Sequence, residues 1–351
     1  MRTSQLWTAD NSLYNFTNGA SLDPKEGSIL VEPNELRKRM IHIRRSTNDD
    51  TPHQTSSKPT TAPDYAAMKP HDIPRNDDHR IKANSTMLYS ILVAALCNNS
   101  NIRQSEEDKE WIAIGDATEI ALLATANQAG LTREYLTETM GLKKVFERAF
   151  DSERKLMSAV YSFQDQNLGE FVLCKGAPEE LLSNCSHYAL PSQETMMSCE
   201  LLQSDIAVSP VDDIFATGVS DENSAMAQKG LRVLGLAIKK VKATGKATAP
   251  EEETAWKEDR LVFLGLIGLI DPPKQGVKDS VEICQKAGVD VIMITGDHVE
   301  TATAIATQLG IIRPNVPGQV RFEVAGDFSR KYHILILYFS CVESSYSWER
   351  T

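Results

Sequence analysis

The sequence predicts two architectures in one chain, an α+β part followed by a shorter parallel α/β part. Two short strands separated by a turn, residues 155–163 and 170–175, predict an antiparallel hairpin. Between residues 261 and 309, continuously apolar strands alternate with amphipathic helices. That order is typical of a parallel sheet with both faces covered. At 351 residues, the chain has room for about two domains.

Composition excludes several classes of function. Lys and Arg number 37 against 48 Asp and Glu, giving a formal charge of −11, so the chain is a poor candidate for binding nucleic acid backbones. The longest apolar run, residues 261–270, is far shorter than the ~20 residues of a membrane span. The first residues lack the apolar core of a secretory signal. We therefore expect a soluble cytoplasmic chain.

Cysteine and histidine spacing predicts neither a disulfide framework nor a metal centre. The six cysteines form no CxxC pair and the seven histidines form no HExxH motif. We expect free thiols in a reducing compartment and no zinc site.

The first half of the chain contains an insertion followed by two helices. Residues 44–80 have a Ser-, Thr- and Pro-rich centre with almost no apolar anchor, which predicts a disordered insertion. Order is expected to resume near Ser85, the predicted N-cap of a buried helix. A second helix is predicted to begin at Asp116, with Glu119 completing a capping box.

Beyond the hairpin, the chain passes into the predicted parallel part. Pro178 and two glutamates suit the first turn of a helix after Gly176. The apolar strand 261–270 ends at Asp271, and the strand 289–294 ends at residues 295–297. Ligands bind at the carboxyl ends of parallel strands, so we expect these ends to form one binding edge.

No conventional phosphate loop is present. GKAT at 245–248 lacks the preceding glycine of a P-loop, and no GxGxxG follows a strand. Residues 295–297 offer a hydroxyl, a glycine and a carboxylate at a strand-to-helix turn, where backbone amides bind phosphate. Lys175 lies next to a helix start, where anions are favoured. A plain turn capped by Asp297, and a surface lysine, are the alternatives.

Three further side chains fit a nucleotide. Phe150 lies close to Lys155 in sequence and could stack on a base, although a core phenylalanine is the alternative. Glu119 could accept a hydrogen bond from an adenine amino group, or it could serve only the capping box. Arg232 could bind a phosphate, or it could be a solvated charge at a strand end.

The order of these motifs carries more information than any single one. The series is GDATE (115–119), FDSERKLMS (150–158), KGAPE (175–179), LRVL (231–234), DPP (271–273) and MITGDH (293–298). This series resembles the cytoplasmic part of type II P-type cation-transporting ATPases, over roughly residues 1–313.

The resemblance implies a fold for each part. Residues 1–260 correspond to the nucleotide-binding domain, an antiparallel sheet flanked by helices, with the insertion at 44–80. Residues 261–313 correspond to part of the phosphorylation domain, which has a haloacid-dehalogenase-like parallel α/β fold. Residues 314–351 resemble neither domain and stay unassigned.

The resemblance also implies site residues. Those of the nucleotide pocket are Thr118 and Glu119 beside the adenine, Phe150 stacked on it, Lys155, Lys175 and Gly176 along the pocket, and Arg232 toward the phosphates. Those near the transferred phosphate are Asp271, Thr295, Gly296 and Asp297.

Departures from the family limit the expected activity. The family's DKTGT motif, which holds the phosphorylated aspartate, and its TGDGxNDxP motif, which holds an aspartate ligand of Mg²⁺, do not occur. The chain starts where the segment after DKTGT would stand. We therefore expect this chain to bind ATP with Mg²⁺ but to have no catalytic residue of its own. The parent activity would be ATP hydrolysis coupled to cation transport, at the cytoplasmic face of a membrane.

The sequence leaves one alternative function open and gives no support to another. A catalytically inactive module that binds and regulates a full-length pump is the alternative. A phosphatase of the dehalogenase-like class would need a DxD motif after a first strand, and none is found. The sequence resembles both sodium-exporting and calcium pumps.

Overall fold

A computed structural model describes most of the first 312 residues and two short strands beyond them. The described residues are 1–17, 22–23, 25–32, 71–73, 75–76, 79–163, 169–241, 256–271, 274, 276–289, 291–295, 299–312, 321–324 and 335–338. They form two compact units. The first comprises residues 1–223 and 233–269, and the second comprises residues 224–232 together with everything from 270 onward.

The first unit contains most of the secondary structure. Up to its first long hairpin the elements are β1 (Arg2–Thr8), β2 (Leu13–Phe16), β3 (Ile29–Glu32), β4 (His71–Asp72), α1 (Ser85–Leu96), β5 (Asn101–Gln104), β6 (Trp111–Ile114), α2 (Ala117–Gln128), a π-helical turn (Tyr135–Thr139) and β7 (Leu142–Asp151). The following elements are β8 (Leu156–Phe163), β9 (Glu170–Gly176), α3 (Pro178–Ser183), β10 (Cys185–Ala189), α4 (Cys199–Gln203), β11 (Val208–Pro210), α5 (Asp213–Ala227), β12 (Arg232–Val241) and β13 (Leu261–Ile270).

A single large sheet organises this unit. Among the described residues, eleven strands join it, nine of them in the order β4-β3-β2-β1-β13-β12-β9-β8-β7, while β10 and β11 branch from β13. The pairs β12–β9, β9–β8 and β8–β7 are antiparallel. The predicted hairpin is β8–β9, with Met157 opposite Lys175. The expected antiparallel sheet with flanking helices is confirmed.

Helix α1 forms the centre of the core. All twelve of its residues are buried, and its side chains join one apolar cluster with residues from β8 and β9 such as Met157 and Leu173. The helix begins one residue earlier than predicted, because the N-cap is Asn84 and not Ser85. Asn84 Oδ1 accepts a hydrogen bond of 2.9 Å from the Met87 amide.

The end of the insertion is ordered at the described residues 71–73, 75–76 and 79–80, which corrects the prediction for them. His71 and Asp72 form β4 and pair with β3, and the Ile73 amide donates to the Ile29 carbonyl at 3.0 Å. Ile73 is itself buried. Pairing with β3 and burial of the Ile73 side chain hold this polar segment against the sheet. The rest of the predicted disordered insertion, residues 44–70, lies outside the described residues.

The second unit is small. Its elements beyond β13 are α6 (Val277–Lys286), β14 (Met293–Thr295), α7 (Val299–Gln308), β15 (Arg321–Val324) and β16 (Leu335–Tyr338). Val281, Ala302 and Ala306 pack together in its apolar cluster. Strand β16 pairs antiparallel with both β14 and β15, so part of the unassigned tail, residues 314–351, joins this unit.

The separate parallel sheet expected for residues 261–313 is not found among the described strands. Strand β13, expected in that part, pairs instead within the large sheet of the first unit. Strand β13 runs parallel to β10, and its side chains are buried almost throughout. Burial inside this large sheet explains that pattern as well as burial in a separate parallel sheet. A continuous apolar run does not distinguish these two environments.

Five cysteines are free thiols, as expected: Cys97, Cys174, Cys185, Cys199 and Cys284. Cys341 lies outside the described residues. In the described part of the chain, every helix is too short or too polar to cross a membrane.

Candidate functional site

A buried ion pair lies at one end of β9. Lys175 is the penultimate residue of that strand, and Glu119 lies in the first turn of α2. Lys175 Nζ is 2.8 Å from Glu119 Oε1, with only 8% and 16% of the two side chains exposed. The structure therefore brings together two predicted site residues that are 56 positions apart.

The start of α2 and the loop after α1 together hold Glu119 in place. Asp116 caps α2 by accepting hydrogen bonds from the amides of Thr118, at 2.8 Å, and Glu119, at 3.4 Å. Glu119 Oε2 accepts the Asn99 amide at 3.0 Å, and the Glu119 carbonyl accepts from Asn98 Nδ2 at 2.7 Å. Glu119 is thus directed at Lys175 by the loop that follows α1.

Phe150 occupies a bulge two strands away from Lys175. The register shifts between Arg148 and Asp151, so that two residues of β7, Ala149 and Phe150, face Met157 of β8. Met157 in turn faces Lys175. Phe150 and Lys175 therefore share one row across the sheet, about 10 Å apart by strand spacing. The ring is 61% exposed, which excludes the alternative of a core phenylalanine.

The turn after Phe150 holds Lys155 in a strained conformation. Lys155 has φ = +52°, a left-handed backbone that costs a non-glycine residue energy. Its carbonyl accepts the Ala177 amide at 3.1 Å. A side chain at Gly176 would overlap that carbonyl and the Leu156 side chain, so the glycine is required for the two segments to meet. Lys155 Nζ binds Glu180 at 2.9 Å, and this hydrogen bond raises the pKa of Lys155.

Sequence reasoning missed a polar group beside this row. Glu147 of β7 accepts hydrogen bonds from Asn99 Nδ2 and, at 2.7 Å, from Lys144 Nζ. Burial on its own raises the pKa of Glu147, but those hydrogen bonds and the charges of Lys144 and Lys175 lower it overall. Asn99 therefore contacts both Glu119 and Glu147. Only the strand register reveals this link, and no local sequence pattern signals it.

The remaining predicted site residues in the described part of the chain are Thr118, Arg232, Asp271 and Thr295. Thr118 has its hydroxyl 3.5 Å from Met1 Sδ. Arg232 begins β12 and is exposed, three residues before Gly235, which pairs with Gly176. Asp271 is exposed after β13, and Thr295 ends β14. Arg232, Asp271 and Thr295 belong to the second unit.

Two predicted residues, Gly296 and Asp297, lie outside the described residues. Elsewhere in the chain, the described His, Cys, Asp and Glu side chains form no group of three or more placed to hold a metal ion.

Comparison with known proteins identifies the family. Residues 89–276 match the family described as P-type ATPase, cytoplasmic domain N. The chain is 35% identical over 222 residues to a calcium-transporting ATPase of Bacillus subtilis, covering 63% of this chain and 22% of that protein.

Relatives with other named ions show similar identity. A sodium/potassium exporting P-type ATPase of Schizosaccharomyces pombe is 35% identical over 241 residues, 68% of this chain and 21% of that protein. A sodium/potassium-transporting ATPase subunit alpha-4 of Rattus norvegicus is 32% identical over 236 residues, 66% of this chain and 21% of that protein. The chain thus spans about a fifth of the length of these relatives. It belongs to the P-type cation-transporting ATPases and contains their cytoplasmic domain N.

Proposed function

We propose that the chain binds ATP on the face formed by β7, β8 and β9. The observation that supports this best is the row across β7, β8 and β9 that contains both the buried Glu119–Lys175 ion pair and the exposed Phe150. An exposed ring offers a stacking platform for a base, worth about 1–3 kcal/mol. Glu119 supplies a carboxylate acceptor for an amino group, and Lys175 supplies positive charge.

The remaining roles in this proposal follow the family resemblance. The resemblance assigns Thr118 to the adenine, Lys155 and Gly176 to the pocket wall, and Arg232 to the phosphates. It assigns Asp271, Thr295, Gly296 and Asp297 to the γ-phosphate. Residues 1–260 together with strand β13 act as the nucleotide-binding domain, and the segment that follows β13, up to residue 313, as part of a phosphorylation domain of the dehalogenase-like class.

The proposal covers binding and positioning of the nucleotide. Phosphoryl transfer requires an in-line nucleophile and stabilisation of charge on the transferred group, and no described residue is assigned either task. The described carboxylates do not fit a Mg²⁺ cage. Mg²⁺ would arrive with the phosphate oxygens of ATP.

The whole-protein activity is a separate proposal, because the chain spans about a fifth of its relatives. Those relatives are named as transporters of calcium or of sodium and potassium. We propose that this domain acts in a full-length pump of the same family, at the cytoplasmic face of a membrane, where ATP hydrolysis drives cation transport.

Calorimetric titration with ATP tests the binding proposal. Phe150→Ala should weaken binding about tenfold, since a stacking loss near 1.4 kcal/mol corresponds to that factor. Lys175→Met, which keeps the bulk of the side chain, should weaken it by at least as much.

Two control variants remove a lysine and an exposed apolar side chain elsewhere in the chain. Lys143 lies at the opposite end of β7 from Phe150, and Ile214 is an exposed apolar residue on α5. Lys143→Ala and Ile214→Ala should leave the affinity unchanged. Retention of wild-type affinity in both Phe150→Ala and Lys175→Met would reject the pocket.

A further inference from the structure

We propose that Glu258 is a positioning residue that sets the nucleotide-contacting turn between β7 and β8. This inference rests on the proposed ATP site. Glu258 lies in the short segment before β13, about 100 residues after the turn it contacts. It belongs to none of the motifs that define the predicted site.

Arg154 connects Glu258 to the turn. Its Nη1 donates to both carboxylate oxygens of Glu258, at 2.7 and 2.6 Å, while Nη2 donates to the Ala149 carbonyl at 2.9 Å. Its Nε lies 3.5 Å from Asp151 Oδ2. One guanidinium therefore ties the start of the turn to an anchor outside it. A lysine ammonium could not reproduce this planar arrangement of donors.

Glu258 is a rigid anchor. Only 9% of its side chain is exposed, and the Ser158 hydroxyl donates to it at 2.6 Å. Two residues earlier, Trp256 stacks on Phe146 with ring centroids 5.8 Å apart and donates its indole N–H to Glu170 at 2.7 Å. The segment is thus fixed against β7, β8 and β9 by contacts independent of Arg154.

The two ends of the turn explain why such an anchor affects the site. Ala149, whose carbonyl Arg154 binds, is the bulge residue directly before the exposed Phe150. Lys155, directly after Arg154, holds the strained left-handed conformation. A strained backbone persists only where its surroundings fix it. Without the Glu258 anchor, the Phe150 ring and the Lys155 ammonium would each sample several positions, and ATP would have to order them on binding.

The test compares Glu258→Gln with a matched control one residue away. Asp259 forms an ion pair with Lys239 at 2.8 Å, in the same segment but without contact to the turn. Removing a negative charge near a site for a polyanion should by charge alone tighten ATP binding. Loss of positioning predicts a change of ATP affinity in the opposite direction, with roughly tenfold weaker binding for Glu258→Gln. For Asp259→Asn we expect the affinity to change by less than about twofold.

A second readout needs no nucleotide. In ¹H–¹⁵N spectra, Glu258→Gln should shift or broaden the amide signals of Phe150 and Lys155, whereas Asp259→Asn should leave them in place. Arg154→Lys should likewise weaken ATP binding and change the amide signals of Phe150 and Lys155. It replaces Glu258→Gln in the test if that variant does not fold. Unchanged signals together with equal or tighter ATP binding in a folded variant would overturn the inference. If the wild type fails to bind ATP, the proposed function falls, and the amide signals still decide whether Glu258 sets the turn.

Discussion

Lys175 and Lys155, which the family resemblance assigns to one pocket, lie in contrasting surroundings. Lys175 has 8% of its side chain exposed and pairs with Glu119 at 2.8 Å. Lys155 has 54% exposed and pairs with Glu180 at 2.9 Å. The two distances are nearly equal, so the pairs differ chiefly in how far water screens them. Coulomb energy depends on that screening as strongly as on distance.

The contrast separates two tasks within one site. The strand end carries a charge that is fixed before any ligand arrives, because Glu119 holds it and Asn99 holds Glu119. The turn carries a charge that is solvated and whose backbone, not its ion pair, sets its position. We infer that Lys175 contributes to both folding and binding, whereas Lys155 contributes mainly to binding.

The largest expected effect is that of Glu119→Ala. Removing one partner of a buried pair leaves an uncompensated charge, at a cost of about 3–5 kcal/mol. Because 16% of Glu119 is exposed, we expect the lower end, about 3 kcal/mol. Urea denaturation of the two proteins measures this difference in the free energy of unfolding.

A double variant separates charge from packing. Replacing both partners with apolar residues, as in Glu119→Leu with Lys175→Met, should restore most of the lost stability, since no charge is left buried. A cost below about 1 kcal/mol for Glu119→Ala would mean that water screens this pair as it screens surface pairs, and the contrast between the two lysines would fail.

Gly176→Ala should have the next largest effect. The new methyl group would overlap the Lys155 carbonyl and lie 3.0 Å from Leu156 Cα, and overpacking of this kind costs about 1–3 kcal/mol. Gly218 in α5 is the matched control, since a methyl group there meets nothing within 4 Å. Gly218→Ala should raise stability by up to about 1 kcal/mol. Thermal unfolding of both variants should therefore give shifts of opposite sign.

Local patterns predicted the elements of the fold better than their partners. The hairpin β8–β9 and the starts of α2 and α3 follow from residues close in sequence, such as Asp116 and Pro178. Strand β13 was assigned to the wrong sheet environment, because its partners β1 and β10 lie far away in sequence. The order of residues 71–73 was missed for the same reason, since β3 supplies their hydrogen bonds.

The candidate site was predictable only where a motif marks a residue. Glu119 and Lys175 were found through GDATE and KGAPE, although their contact across 56 positions was not. Glu147 lies in an ordinary exposed strand pattern, and Glu258 lies in a charged run that resembles the end of a linker. Their roles depend on register and on the bulge at Phe150, which alternation of apolar and polar residues does not encode.

Acid titration of Glu147 is expected to have a smaller effect on the stability of the protein. The pKa of Glu147 in the folded protein is below its ordinary value of 4.5, so the unfolded chain binds more protons near that pH. The stabilisation is present above pH 4.5 and is lost as the pH falls through the folded value. The stability of Glu147→Gln, followed by urea denaturation from pH 6 to pH 3, should fall less steeply than that of the wild type below pH 4.5. The difference should be less than about 1 kcal/mol, because solvent partly screens the carboxylate.

The smallest expected effect is that of Glu180→Ala, which removes the partner of Lys155. Both side chains of this pair are largely exposed, at 54% and 43%, so water replaces the lost contact. The melting temperature should change by less than about 1 °C, and ATP affinity should stay equal or rise slightly, since Lys155 keeps its charge and loses a competing carboxylate. A marked loss of stability would show that the turn depends on this ion pair. The anchor would then be Glu180, on helix α3, and the division between a buried charge that supports folding and a solvated charge that supports binding would have to be abandoned.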